Sequence, residues 1–584
     1  MVLHFLKCLE MSRIVRRPFS GLKSAEAASP FRLNSSWNPV LEFKRAASTK
    51  AHHAQEKYSK AFAFGKFSKL AKPDGKLAEI AHEASKNVKS FDALRIFPTV
   101  RAAMIEEIKR GYNLKSTYVK DKSQLDIKPS PVQIAAIKKI NRPRVSNVNN
   151  KKIKKKLGSE VFDELVYENE LKKHKVFLIA GETGSGKTWA YLAPLLSKLK
   201  DQEFDLFKRS PQEYYNFKSS PRVRSVILLP THELVEQVYN VIERANKSRY
   251  DIRVCVNEKL LRDNDYENFL ALPENRASLN IKSHKWSSGD PPTALFKAEG
   301  NGVDVLVTTP AKLSSLGNLK NFSLPFSVLQ NVESCVVDEA DTLLDRSWFG
   351  DTTLVLQKLS KCRDLIFCSA TVSKDFQQTI NSLFPDKNSI IKVTSPSLHK
   401  IPRQIIVKVI DAQLAPYNGS KIRCLAQALY AILNDGTEQG FVKRVLVFVN
   451  EKKDVQPLVE TLIDRFGHRP QDIIGITGQD SPEGRREKLN PFVRHATPLE
   501  EDPYDSKIKV LVTTDLLARG TDFSGVKNVI LMDLPNNSVD LVHRMGRTGR
   551  MRQSGRVFII IDKRTGRSWI KGLPKIVRKG ILLG

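Results

Sequence analysis

The stretch Val176-Phe-Leu-Ile-Ala180, followed at once by Gly181-Glu-Thr-Gly-Ser-Gly-Lys-Thr188, decides how this chain is read. An apolar run ending in G-x-x-x-x-G-K-[ST] predicts a buried strand, a loop whose backbone N–H groups surround phosphate oxygens, and a helix opening behind it. Gly181, Gly184 and Gly186 let the backbone approach closely, and Glu182, Thr183 and Ser185 complete the loop. Lys187 would reach the outer phosphates, and the Thr188 hydroxyl would ligate Mg²⁺. Far downstream, Asp338-Glu-Ala-Asp341 follows the apolar Cys335-Val-Val337, so its carboxylates would emerge at the end of a second strand. Asp338 would hold Mg²⁺, and Glu339 would orient or deprotonate the water that attacks a γ-phosphate. Acidic pairs at strand ends are also ordinary turn formers; the upstream loop, at strand-by-strand spacing, favours the nucleotide reading.

Working outward, 584 residues are too many for one core and suggest about three or four domains. Lys and Arg number 95 against 63 Asp and Glu, a net charge of +32, which makes a polyanion the expected partner. Nucleic acid leads; an anionic membrane surface is the alternative. Six cysteines without a C-x-x-C pair argue against a disulfide framework or zinc knuckle, and a reducing compartment is expected. No run of 18 apolar residues predicts a membrane span.

Residues 1–50 carry nine Lys or Arg against three acids, with many Ser and Ala. Such a segment, with Met11-Ser-Arg-Ile-Val-Arg-Arg-Pro-Phe-Ser20 at its centre, has the composition of a mitochondrial import signal, though a basic RNA-binding tail would look similar. Residues 1–85 are therefore expected to lie outside the fold, as a targeting and disordered segment.

Strand-like runs recur in two series, Val176–Ala180, Val226–Leu229, Val303–Val307, Cys335–Val337 and Leu365–Cys368, then Val445–Val449, Ile473–Ile476, Ile508–Val512, Val529–Met532 and Val557–Ile561. Separated by amphipathic stretches, they have the βαβ rhythm of buried parallel sheets. The expected organisation is α/β: a first doubly wound domain over 86–393, a proline-marked linker over 394–403, and a second domain over 404–584, facing each other across a cleft. A basic insertion is expected near 138–170, where Lys138 to Lys156 holds nine cations and no acid. The polar stretches near 200–220 and 257–300 are expected to be surface excursions.

With these motifs in this order, the sequence resembles a DEAD-box RNA helicase of superfamily 2, over roughly residues 90 to 575. The resemblance implies two tandem RecA-like domains that hydrolyse ATP with Mg²⁺ and bind RNA. Pro129-Ser-Pro-Val-Gln133 resembles the adenine-sensing motif, with Gln133 reading the base and Phe91 a candidate stacking aromatic. Pro230-Thr231-His-Glu-Leu234 and Thr309-Pro-Ala-Lys312 resemble the segments that grip RNA, and Ser369-Ala-Thr371 resembles the motif coupling hydrolysis to strand separation. In the second domain Phe448, Arg485 and Thr514 fall at RNA-contacting positions, and Asp522 would bind the ribose of ATP. His543-Arg-Met-Gly-Arg547-Thr-Gly-Arg550 places His543 and two arginines of the catalytic set, of which Arg547 and Arg550 would cross the cleft to the γ-phosphate.

Several positions depart from the family pattern. His232 stands for an arginine, Ala311-Lys312 for Gly-Arg, Thr477-Gly478 for His-Gly and Pro482 for a glutamine. Histidine is mostly neutral near pH 7 and lysine lacks the bidentate fork, so the RNA grip is customised. Only 34 residues follow Arg550, too few for the long basic tail of general RNA chaperones, which favours a narrower target. Together with the import signal, the resemblance points to a fungal-type protein of the mitochondrial matrix, a monomer acting on mitochondrial ribosomal RNA, alongside assembly proteins, in large-subunit biogenesis. Intron splicing, RNA turnover, an ATP-gated RNA clamp with little unwinding and a DNA helicase remain the other readings.

Overall fold

In the computed structural model, the described residues are 67–111, 125–142, 174–248, 264–319, 324–386, 389–493, 497–515, 523, 525–549, 553–565 and 568–583. Thirteen strands among them form two sheets, and each strand pairing within the sheets is parallel.

The first sheet contains β1 (Lys175–Ala180), β2 (Val223–Leu228), β3 (Ser283–Trp286), β4 (Val303–Thr308), β5 (Ser334–Val337), β6 (Asp364–Ser369) and β7 (Ile390–Thr394), in the order β3-β4-β2-β5-β6-β1-β7. Successive side chains serve opposite faces. Phe177 and Ile179 of β1, Ile227 of β2 and Ile366 of β6 enter one core with the helices Pro131–Ile140, Lys187–Arg209 and His232–Asn246. Val176, Leu178, Val226 and Leu365 enter another, with Phe349–Gln357 and Lys374–Leu383. Burial on both faces is why these runs read as continuously apolar.

The second sheet contains β8 (Ile405–Asp411), β9 (Lys443–Phe448), β10 (Ile473–Gly475), β11 (Ile508–Thr513), β12 (Asn528–Leu531) and β13 (Gly555–Ile561), in the order β10-β11-β9-β12-β13-β8. Leu446, Leu511 and Val529 face one core, and Val445, Val510 and Ile530 the other. The fold is thus α/β, with two parallel-sheet domains.

The folded part reaches further toward the N-terminus than expected. Residues 67–85 do not lie outside it: Phe67 and Leu70 are buried in the second domain's core, Leu70 bridges to Ser373, and the helix Gly75–Asn87 packs on Pro131–Ile140 and β7. Spaced apolar residues in a Lys-rich stretch concealed this. Nor is 200–220 an irregular excursion. It completes the helix Lys187–Arg209 and forms Pro211–Ser219, whose Tyr214 and Lys218 are buried. Within 257–300, the described part holds the edge strand β3 and the helix Pro292–Gly300, anchored by the fully buried Trp286. Lys138 to Ile140 belong to a helix that Asn141 caps; from residue 143 on the basic insertion, like the import signal, lies outside the described residues.

Candidate active site and nucleic-acid interface

Because β5, β6 and β1 are neighbours, the segments leaving their C-terminal ends converge: Asp338-Glu339 after β5, Ser369-Ala-Thr371 at the end of β6, and the 181–188 loop after β1. Ligand crevices of open parallel sheets lie at this edge. In the loop, Gly184 and Gly186 hold left-handed φ of 83° and 81°, and Gly186 caps the helix Lys187–Arg209. A side chain on Gly186 would run into the Gln133 amide. Lys187 Nζ donates to the carbonyls of Gly181 and Glu182 at 2.8 and 3.0 Å, so the loop is wound around its own ammonium.

Gln133 lines the cleft, with its amide engaged at the phosphate loop. Its Nε2 donates to Gly186 O at 3.2 Å and its Oε1 accepts from Ser130 N at 2.9 Å, closing a capping box. It braces the phosphate loop, a task shared by Ser130 Oγ, which donates to Ser185 O at 2.7 Å.

Asp338 accepts from the Tyr191 hydroxyl at 2.9 Å and from Glu339 N at 2.9 Å. Burial first, and the Glu339 charge second, raise its carboxyl to about 6 against the opposing pull of Lys187. Glu339 adopts a left-handed φ of 49°, a conformation that costs a residue with a β-carbon about 1–2 kcal/mol. The side-chain oxygens Glu182 Oε2, Thr183 Oγ1, Ser185 Oγ and Glu339 Oε2 are buried without a hydrogen-bond partner, all around one loop. Such atoms cost free energy until something meets them. Hydroxyls that can donate to phosphate oxygens and carboxylates that can face a divalent cation match a nucleotide triphosphate with Mg²⁺.

The second domain supplies the other wall. Gly546 approaches the loop so closely that an added methyl group would lie 3.1 Å from Thr183 Oγ1. Arg547 is buried, lines the cleft between the domains and donates Nε–H to His543 O at 3.0 Å. His543 Nε2 stands 3.4 Å from Asp341 Oδ2 and 3.3 Å from Thr371 Oγ1, while Thr371 Oγ1 itself donates to Asp341 Oδ2. Ser369 Oγ donates to Thr371 O at 2.6 Å. Arg550 and Asp522 lie outside the described residues.

The expected RNA-contacting residues are less uniform. Thr231 and Thr309 spend their hydroxyls as helix N-caps, accepting from Leu234 N and Lys312 N, with Pro230 half-buried beside them. Lys312 Nζ donates to Asp290 O at 2.8 Å and lies over the Trp286 ring. His232 Nδ1 accepts from Ser288 N at 3.1 Å and contacts Ser287 Oγ at 2.8 Å; burial lowers its pKa, which favours a neutral ring. Arg485 meets Glu233 of the first domain at 3.4 Å. Thr514 is buried.

Two expectations are corrected. Phe448, at the end of β9, is fully buried beneath the Arg544 guanidinium and presents nothing to RNA. Phe91 is 1% exposed inside the first domain's core and does not line the cleft, so it is a packing residue and not a stacking platform. Apolar aromatics near a motif are packed more often than presented.

The DEAD/DEAH box helicase family matches residues 163–379, and the helicase conserved C-terminal domain matches 420–552. The ATP-dependent RNA helicase MRH4, mitochondrial, of Debaryomyces hansenii is 60% identical over 98% of this chain and 97% of that protein. The chain belongs to the DEAD/DEAH box helicase family. As a member, it is an enzyme of the ATP-dependent RNA helicase class. Proteins of the same name from Candida albicans and Saccharomyces cerevisiae are 49% and 36% identical, over 95% and 92% of this chain and 99% and 90% of theirs. The solved structure of Saccharomyces cerevisiae Dbp5 bound to RNA and ADP BeF3 shares the fold, with a TM-score of 0.51 at 20% identity over 84% of this chain and 93% of that one.

In this DEAD/DEAH box helicase, sequence reasoning passed over Arg544. Its buried guanidinium binds both Asp515 oxygens at 2.6 and 2.7 Å, Asn450 Oδ1 at 2.8 Å and Asp533 O at 2.8 Å. Lying within an arginine cluster, it was masked by the neighbours expected to touch phosphate. Among the described residues, no helix is long and apolar enough to cross a membrane.

Proposed function

We propose that this protein is a mitochondrial RNA helicase whose ATP site is completed by closure of the two domains on RNA. The observation that carries the reading is the seating of Gly546 against Thr183 of the phosphate loop, with Arg547 lining the same cleft and unpartnered buried oxygens around the loop. In this reading Lys187 exchanges its loop carbonyls for the outer phosphates of ATP, and Glu339 orients the attacking water. Arg547, joined by Arg550, supplies the guanidinium charge that a phosphoryl transition state needs. Thr188 and Asp338 would hold Mg²⁺, which supplies charge neutralisation on the phosphates when bound. Asp522 would hold the ribose.

RNA would lie across both domains along the 230–234, 309–312 and 485 segments, bent so that one strand leaves its complement. Contacts to phosphate and ribose give marked salt dependence and little sequence reading. Two supports favour the mitochondrial matrix as the setting: the Arg-rich, acid-poor residues 1–50 and the relatives named mitochondrial. Within it we favour a monomer acting on large-subunit ribosomal RNA in ribosome biogenesis, over intron splicing or RNA turnover. Residues 86–393 and 404–584 carry forward as working domains and 394–403 as linker, with the leader shortened to 1–66: 67–71 reach into the second domain's core, and the helix Gly75–Asn87 packs on the first domain.

A second reading, an ATP-gated RNA clamp, is favoured by one observation: Arg485, Lys312 and His232 are engaged by protein groups. Strand release from a short duplex under ATP separates the two, since a clamp retains RNA without releasing the partner strand. Single-stranded RNA should stimulate ATP hydrolysis, and Lys187→Ala should abolish it. Hydrolysis indifferent to RNA and to Lys187→Ala would overturn the reading. Sequencing RNA crosslinked to the protein in cells names the target.

A further inference from the structure

One residue beside the coupling motif is held by both of its backbone groups. Val372, next to Thr371, donates its N–H to Nε2 of His399 at 2.9 Å, and its carbonyl accepts from Ala71 N at 2.8 Å. Both holders are tied to the second domain. The His399 carbonyl accepts from Leu583 N at 3.1 Å, and Leu583 is buried in the second domain's core. The strap 67–71 buries Phe67 and Leu70 in that same core, sets Phe67 4.8 Å from the Trp569 ring, and donates Lys69 N–H to Ser538 Oγ at 3.0 Å. Ser538 is the first residue of the helix Ser538–Met545, which carries His543. On the first-domain side, Lys374 N donates to Lys69 O at 2.9 Å.

His399 is an unusual residue for a linker. It is 1% exposed and has a left-handed φ of 62°, which a residue with a β-carbon adopts at a cost. To accept from Val372, Nε2 must be unprotonated, which places the ring proton on Nδ1. Burial supports that form by pushing the imidazole down to about 4.

We propose that His399 is a positioning residue for RNA-coupled hydrolysis: through Val372 it registers Ser369-Ala-Thr371 against the second domain, so that Thr371 meets His543 when linker and strap are seated together. The chain of contacts is continuous, from Leu583 and Ser538 in the second domain, through His399 and the strap, to the peptide that follows Thr371. This inference rests on the closure reading above.

The test uses the full chain and two substitutions. His399→Gly keeps the left-handed backbone and removes the acceptor; His399→Gln carries an acceptor, Oε1, out to the position of Nε2. ATP hydrolysis is measured with and without a single-stranded RNA oligonucleotide, alongside the thermal midpoint. Leaving the buried Val372 N–H unmet should lower RNA stimulation about tenfold in His399→Gly, with hydrolysis in the absence of RNA close to wild type. His399→Gln should recover stimulation. Equal stimulation in all three proteins overturns the role of His399. So does a His399→Gly protein that loses basal and stimulated rates by one factor and is not rescued by glutamine. A wild-type chain without RNA stimulation would sink the closure reading and this inference with it.

Discussion

His543 in the second domain and Asp341 in the first stand 3.4 Å apart, Nε2 to carboxylate, with Thr371 hydrogen-bonded into the same group. The contact ties the acidic motif, the coupling motif and the arginine helix into one cluster that exists only while the domains touch. His543→Ala should leave ATP binding in the absence of RNA near wild type and lower RNA-stimulated kcat about tenfold, the cost of leaving buried polar groups unmet. Steady-state hydrolysis against RNA concentration measures both quantities.

Gly186→Ala should damage folding as well as turnover. The position has φ of 81°, and a β-carbon there meets Gln133. Strain and displacement together should cost about 1–3 kcal/mol, read as a lowered unfolding midpoint, with nucleotide binding lost in parallel.

Arg544→Lys separates charge from geometry. A lysine keeps the cation but cannot hold Asp515, Asn450 and the Asp533 carbonyl at once. Breaking this buried set should destabilise the second domain by about 3 kcal/mol in denaturant titration. The expected loss of activity follows from stability, so it should be partly recovered at low temperature.

Acidification should unfold the protein partly through His399. Burial lowers its pKa from 6.5 to about 4, against small upward pulls from the Ala71 backbone and Asp341, while His543 pushes the same way as burial. The unfolded chain therefore binds a proton in the window between those values that the folded chain refuses, so stability present above pH 6.5 declines as pH falls toward 4. The loss approaches about 3 kcal/mol at the lower end. His399→Asn should flatten that part of the pH–stability curve relative to wild type; identical curves would remove His399 as the cause.

The strands were legible because buried parallel strands are nearly continuous apolar runs, as in Val176–Ala180 and Val445–Val449. β3, β7 and β8 escaped notice for the opposite reason: Ser283-His-Lys-Trp286, Ile390-Ile-Lys-Val-Thr394 and Ile405-Ile-Val-Lys-Val-Ile-Asp411 mix polar residues into edge positions. The phosphate loop and the acidic motif were legible because backbone conformation and charge there are dictated locally by Gly184, Gly186 and Asp338. What the residues do to each other across the cleft was not. Arg485 pairing with Glu233, Gln133 turning its amide to Gly186, and Phe67 crossing into the other domain's core depend on contacts between residues tens to hundreds apart. Nor does an aromatic's type say which way it faces, as Phe91 and Phe448 demonstrate.

The central claim is that the ATP site is half built by each domain, with Arg547 as the crossing group. The most direct test is RNA-stimulated ATP hydrolysis by the full chain with Arg547→Lys, which keeps the charge and removes the fork. Wild type should be strongly stimulated by single-stranded RNA, and Arg547→Lys should lower the stimulated kcat by about a thousandfold with nucleotide affinity little changed. Hydrolysis that continues undiminished in Arg547→Lys, equally with and without RNA, would contradict the account.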